Sequence, residues 1–252
     1  MEIFNLLELN IYELILVFSV IFIASIVRGF TGFGFSALTI STLSFILPPI
    51  QIVPIILILE VSLSILMLPV IIKSIQWKFV FLFFSGILFG SPIGLYILRN
   101  TSYEISHLII ASSVIILSLL LFRGFTNRKL NNNFFKVLTG LVSGVCNGIG
   151  TIGGLPVAIY LLVISMQSAS VRASLAALFF FTDTYAFTIS YYTGIVNEVV
   201  FYRALPLIFI LPIGVYIGNR YFKKSKENEF RKIVLQLLIL ISFIAILKVV
   251  IL

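Results

Sequence analysis

Long apolar runs, one after another, leave this chain little choice of solvent. They fall roughly at 11–30, 34–47, 51–72, 78–98, 104–122, 136–149, 153–165, 170–193, 199–219 and 231–252. Several reach the ~20 residues that carry a helix across ~30 Å of hydrocarbon. Of the 252 residues, 60% are hydrophobic and only 10% charged, which is more apolar surface than a soluble domain of this size can bury. The runs are continuous and do not alternate, which argues against a membrane β-barrel. The sequence predicts an all-α polytopic membrane protein with almost no soluble part.

The formal charge of +8 points to nucleic acid only until its distribution is read. Lys and Arg cluster between the apolar runs, in 123–136 (RGFTNRKLNNNFFK) and 220–232 (RYFKKSKENEFRK), with Lys73, Lys78 and Arg172 in other connections. Cytoplasmic loops of membrane proteins carry this excess. The expected partner is therefore the lipid bilayer and not nucleic acid. The same rule places these loops in the cytoplasm, beneath a plasma (inner) membrane. The 193–198 loop, which has no Lys or Arg, the acidic N-terminus and the C-terminus are then outside, and Arg99 alone dissents. The N-terminal MEIFNLLELNIYEL lacks a basic region, so no cleaved signal peptide is expected. A single cysteine, Cys146, excludes an intrachain disulfide and a Cys-rich metal site.

The chain repeats itself. Arg28-Gly29-Phe30-Thr31-Gly32-Phe33-Gly34 lies over Asn147-Gly148-Ile149-Gly150-Thr151-Ile152-Gly153, an offset of 119. Pro92-Ile93-Gly94-Leu95-Tyr96-Ile97 lies over Pro212-Ile213-Gly214-Val215-Tyr216-Ile217, an offset of 120. Two repeats of about five helical segments follow, the first at 1–122 and the second at 136–252, joined by a basic cytoplasmic linker at 123–135. The second, sixth and seventh segments hold only about 13–15 residues, roughly 20–23 Å of helix, and each abuts a glycine cluster. Broken or re-entrant helices are expected there. Whether each repeat crosses five times or three, the count is odd, so the second repeat is inverted relative to the first.

The stretch 147–156, NGIGTIGGLP, has the Gly-x-Gly-x-x-Gly spacing of a dinucleotide loop. That loop needs a preceding strand and an acidic residue about 20 positions on. Here the preceding run is apolar with helical small-residue spacing, and the next acidic residue is Asp183, inside another apolar run. The glycines at 148, 150, 153 and 154 instead predict an opened backbone, which survives at membrane depth only against protein or a watery cavity. Pro156 suits the first turn of a new helix, whose N-terminus favours an anion. Packing of close helices is the competing account, and it covers Gly86, Gly90, Gly94, Gly140 and Gly144. Arg28 is either an anion-binding guanidinium beside the first break or an edge arginine obeying the charge rule, and Arg172 poses the same choice.

Glu60 and Asp183 lie mid-segment, where a carboxylate is costly and signals function. They are candidates for proton coupling, and pairing with Arg28 or Arg172 is the structural alternative. Asp183 falls opposite about Ser64 and not opposite Glu60. His107, Trp77, Tyr191 and Tyr192 read as interface residues, and Cys146 as a packing residue. No Ser/His/Asp grouping, HExxH or paired metal ligands occur in the sequence. Neither enzyme activity nor a cofactor or metal is expected.

RGFTGFGFSAL at 28–38 and NGIGTIGGLP at 147–156 resemble the two signature regions of the TauE/SafE sulfite exporter family, over essentially the whole chain. The resemblance implies an inner-membrane permease of two related halves for small anions, among them sulfite and organosulfonates such as sulfoacetate, coupled to an ion gradient. The signature positions it carries over are Arg28, Gly29, Gly32, Gly34, Asn147, Gly148, Gly153, Gly154 and Pro156. The expected substrate site therefore comprises Arg28, Gly29, Thr31, Gly32, Gly34, Asn147, Gly148, Gly150, Gly153, Gly154 and Arg172, with Glu60 and Asp183 for the proton. The expected function is a secondary transporter for a small anion. A passive anion channel and a non-transporting scaffold are the alternatives, and substrate, direction, coupling ion and homo-oligomerisation stay open.

Overall fold

The computed structural model describes residues 10–102 and 127–226 continuously, with scattered positions between 105 and 116 and between 229 and 243. The runs expected at 104–122 and 231–252 lie largely outside the described residues, as do His107 and residues 123–126 of the basic loop. The described residues form helices and no strands. The α-helices are α1 (Ile11–Thr31), α2 (Phe35–Leu43), α3 (Pro49–Ile71), α4 (Trp77–Asn100), α5 (Asn133–Gly150), α6 (Gly154–Val163), α7 (Ser168–Tyr192), α8 (Glu198–Ile208) and α9 (Leu211–Lys224). Four, namely α1, α3, α4 and α7, are long and apolar enough to cross a membrane, and the bent pair α8–α9 makes a fifth if taken as one span.

Local chemistry sets the boundaries. Asn10 and Glu13 cap α1 reciprocally: Asn10 Oδ1 accepts from the Glu13 N–H at 2.9 Å, and Glu13 Oε2 accepts from the Asn10 N–H at 2.7 Å. The helix stops at Gly32, whose φ of 82° is left-handed and whose N–H returns to the Arg28 carbonyl at 2.8 Å. Gly34, at φ 89°, then opens α2. The second break is shorter than expected. Gly148 and Gly150 remain helical in α5, and only 151–153 separate it from α6. Thr151, which aligns with Gly32, takes the left-handed position at φ 56°. Pro156 lies in the first turn of α6, where its missing N–H costs nothing.

Two expected boundaries move. The sixth run gains a turn, because Asn132 caps α5 by accepting from the Phe135 N–H at 2.9 Å. The ninth run is not one helix: α8 and α9 meet at 48°. Pro206 and Pro212 each withhold an N–H around that joint. Pro92, alone in α4, leaves its helix continuous.

Glycines fix the packing. On α4, Gly86, Gly90 and Gly94 lie against Gly140, Gly144 and Gly148 of α5 so closely that a Cβ at Gly90 would stand 2.2 Å from the Leu141 carbonyl oxygen. On α9, Gly214 and Gly218 meet Ser25, Ile26 and Phe30 of α1 in the same way. Both pairs run parallel, since higher numbers on one helix meet higher numbers on the other. α7 is the most enclosed of the four long apolar helices, and it packs along α3 at the centre.

The ends of the bundle differ in charge. Lys73, Lys78, Lys129 and Lys136 share one end, where Lys136 Nζ sits 4.3 Å above the Phe79 ring and the Tyr160 hydroxyl donates to the Leu130 carbonyl at 2.9 Å. The last turn of α9, with Lys223 and Lys224, reaches the same end through Phe222, which lies against Phe30 and under Arg172. The first turns of α1 and α3 and the 193–198 loop occupy the other.

Candidate functional site

Arg28 projects from the last turn of α1 and is fully buried, 0% exposed. Burial of an arginine among apolar helices requires partners on every side. The Arg28 Nη2 lies 3.2 Å from Glu60 Oε2, and the Glu60 side chain is 1% exposed. The same nitrogen donates to Ser64 Oγ at 3.1 Å, one turn further along α3. Nη1 donates to the Gly32 carbonyl, so the guanidinium also holds the first break. The Phe179 ring of α7 lies 4.2 Å below the guanidinium, a cation–π contact. Ser36, in the first turn of α2, donates to Glu60 Oε1.

The second break supplies a parallel set. Asn147 Nδ2 donates to Asp183 Oδ1 at 2.9 Å, and the Thr182 hydroxyl lies 3.4 Å from the same oxygen. Asp183 is 1% exposed and within electrostatic reach of both Glu60 and Arg28. The bond from Arg28 to Ser64 and the bond from Asn147 to Asp183 both span 36 residues. At the offset of 119, Arg28 aligns with Asn147 and Ser64 with Asp183, so the two halves use aligned positions for aligned bonds.

Phe179 joins the two breaks. Its face carries Arg28, and its edge fills the place a side chain at Gly154 would take, with Cζ 2.2 Å from the position of a Cβ there. Several buried polar atoms at this junction have no hydrogen-bond partner, namely Arg28 Nε, Asn147 Oδ1 and Asp183 Oδ2, while Glu60 Oε2 has only its ion pair. Such atoms gathered in one place demand an explanation beyond packing.

The remaining sequence candidates are placed around this centre. The Gly29 carbonyl accepts from Arg172 Nε at 3.0 Å and Nη2 at 2.6 Å. Arg172 also donates to Asn219 Oδ1 at 3.0 Å and stacks on Phe222. Its guanidinium thus ties the first turn of α7 to α1 and α9 and faces neither carboxylate directly. Gly32 packs against the Arg172 backbone, Gly148 against Leu95 and Ser91, and Gly150 against Ile110. Thr31 Oγ1 accepts from the Phe33 N–H at 3.1 Å, bracing the break, and Ser143 donates to the Gly153 carbonyl at 2.6 Å.

Ser36, Ser64, Phe179 and Thr182 join the site without having been singled out by sequence. A signal existed for two of them. Phe179 is four residues before Asp183 and seven after Arg172, on one helical face, and Ser64 aligns with Asp183.

A sequence model of the family described as sulfite exporter TauE/SafE matches residues 17–244. Comparison with curated proteins and with solved structures returned no match.

Proposed function

From the premise that the chain belongs to the TauE/SafE sulfite exporter family of membrane transporters, we propose that it moves a small anion, sulfite or an organosulfonate, across the plasma membrane by alternating access, together with protons. One observation carries this reading: the buried Arg28–Glu60 pair with Asp183 beside it.

One guanidinium pairs with one carboxylate, Glu60, and a second carboxylate, Asp183, lies within its electrostatic reach. With both ionised, the centre is net negative and repels an anion. A sulfonate approaching Arg28 competes with Glu60 for Nη2, the guanidinium nitrogen beside the carboxylate. Glu60 therefore stands in for the substrate, and it yields when it takes up a proton. A protonated Glu60 no longer needs Arg28, and its O–H can turn to the Ser36 hydroxyl. Anion binding and proton uptake are thus linked at one cation. The second N–H of Asn147 Nδ2, whose first goes to Asp183, and the Nε of Arg28 supply further donors to the bound anion, and Asp183 is the second proton carrier.

The arrangement also suits a rocking movement. Helix α4 of the first half is locked to α5 of the second, and α9 of the second half is locked to α1 of the first. The two parallel pairs run in opposite directions, as two inverted repeats would place them. The domain limits 1–122 and 136–252 follow from the same symmetry. The lysine-rich end faces the cytoplasm, and the N-terminus and the 193–198 loop face outside. Arg172 holds the α1–α9 pair to the moving end of α7.

The test is uptake of radiolabelled sulfite and sulfoacetate into proteoliposomes with and without a pH gradient. Saturable flux that the gradient drives supports the proposal. Flux that neither saturates nor follows the gradient belongs to a channel, and absence of flux for every small oxyanion sinks the substrate class.

A further inference from the structure

Arg28 and Asn147 occupy aligned positions in the two halves, and they differ by one full charge. The alignment continues through the residues they face. At the same offset of 119, Glu60 lies over Phe179 and Ser64 over Asp183. The contacts follow it. Glu60 accepts from Ser36 in the first turn of α2, and Phe179 fills the place of a side chain at Gly154 in the first turn of α6. Arg28 reaches Ser64, and Asn147 reaches Asp183. One framework thus carries two sets of charges: a cation, a carboxylate and a hydroxyl in the first half, an amide, a ring and a carboxylate in the second.

The charge of this centre limits what it can enclose. Among the described residues, Arg28 is the one cation in contact with either carboxylate. Arg172 lies within electrostatic reach of Arg28, but its guanidinium is held by the Gly29 carbonyl, Asn219 and the Phe222 ring. With Glu60 and Asp183 both protonated, the centre carries one positive charge. A singly charged anion on Arg28 then gives neutrality. A doubly charged one leaves a negative charge among Arg28, Glu60, Asn147 and Asp183, which are at most 2% exposed. An uncompensated charge in such a place is costly. Asn147 offers the anion an N–H, since only one of its two goes to Asp183. That neutral donor favours any oxyanion and does not offset a second negative charge.

We propose that the centre selects oxyanions by charge and takes a single negative charge, and that Asn147 sets this limit by standing neutral where the first half has Arg28. The inference rests on the anion site of the transport reading and narrows its substrate class. Alkanesulfonates and hydrogen sulfite are accepted. The sulfite dianion, sulfate and sulfoacetate are refused.

The experiment measures equilibrium binding to the full chain in nanodiscs by titration calorimetry at mildly acidic pH. Two pairs of probes match in size and differ by one charge: methanesulfonate with sulfate, and the carboxamide of sulfoacetate with sulfoacetate. The singly charged member of each pair is expected to bind at least about tenfold more tightly. N147S removes the amide and weakens both members alike, so their ratio stays. N147K supplies the missing charge and moves the ratio toward sulfate by about tenfold or more. N147D is nearly the size of the parent residue and serves where N147K fails to fold. Its added carboxyl must also be protonated before an anion enters, so methanesulfonate affinity falls more steeply with rising pH than in the parent. Equal affinity within each pair overturns the proposal, as does an N147D profile that matches the parent or a folded N147K that keeps the parent ratio. If the pairs separate as stated but no oxyanion crosses in proteoliposomes, the transport reading fails and the charge limit stands. If sulfate and methanesulfonate are carried alike, the charge limit fails and the transport reading stands.

Discussion

The Nη2 of Arg28 lies 3.2 Å from the Glu60 carboxylate with both side chains excluded from solvent. Removing one partner of such a pair leaves the other charge stranded, at a cost of about 3–5 kcal/mol, while removing both is far milder. R28Q is therefore expected to lower the thermal melting point of the detergent-solubilised protein sharply, and E60Q to lower it less, because Ser64, the Gly32 carbonyl and the Phe179 ring still hold the cation. The double variant R28Q/E60Q recovers most of the loss in R28Q. Neither variant lacking Arg28 binds or moves sulfite. An R28Q protein that melts like the parent and still transports would remove Arg28 from the site.

Linkage gives the pH dependence its sign. If the anion displaces Glu60 from Arg28 and Glu60 takes a proton, the bound state holds more protons than the free state, and affinity rises as pH falls. One proton per anion gives at most about a tenfold change per pH unit. An alkanesulfonate is the proper probe, since its own charge does not titrate in this range. E60Q is expected to bind it more tightly than the parent, with a flattened pH profile. Combining E60Q with D183N removes the remaining dependence, while the carbonyl oxygen of the substituted amide can still accept from the Asn147 NH₂. A steep profile persisting in the double variant would move the coupling elsewhere.

Phe179 makes a further prediction. Its ring supports the Arg28 guanidinium at 4.2 Å and fills the space before Gly154. Leucine there keeps an apolar side chain but loses the quadrupole, worth about 0.5–2 kcal/mol at a desolvated site. F179L is expected to raise the KM for sulfite several-fold while the protein remains folded and monodisperse. Equal kinetics for F179L and the parent would show that the ring is only packing.

The sequence makes the large features plain because they rest on one-dimensional signals. Membrane character follows from run length. The two breaks follow from glycine spacing, and the intramembrane charges from the cost of burying them. It does not disclose that Glu60 and Asp183 converge. They do not align in the repeat, and only the antiparallel packing of α3 on α7 brings Asp183 within electrostatic reach of the Arg28–Glu60 pair. Gly29 and Gly148 look alike as motif glycines, yet each serves helix contact, because the helices α9 and α4 arrive from the other half of the chain. The bend between α8 and α9 needs Pro206 as well as Pro212, and the proline shared with α4 alone does not reveal it.

The small-residue seam between α4 and α5 allows the last prediction. A Cβ at Gly148 would stand 2.5 Å from both the Leu95 amide nitrogen and the Ser91 carbonyl oxygen. These are backbone atoms of a helix that cannot yield by a rotamer change, so the two helices must part. Overpacking of this kind costs about 1–3 kcal/mol for a single added group, and close small-residue contacts are a main source of cohesion between membrane helices. Gly148→Ala is expected to lower the melting point measurably, and Gly148→Leu to prevent monodisperse folding. Gly194 is the control. It has open space around it, and its φ of 75° makes a substitution there strained but local. Gly194→Asn, which tolerates that backbone conformation, should leave melting within a few degrees of the parent. If Gly148→Ala melted no lower than Gly194→Asn, the seam would not be a rigid unit, and the α4–α5 pair could not move as one body.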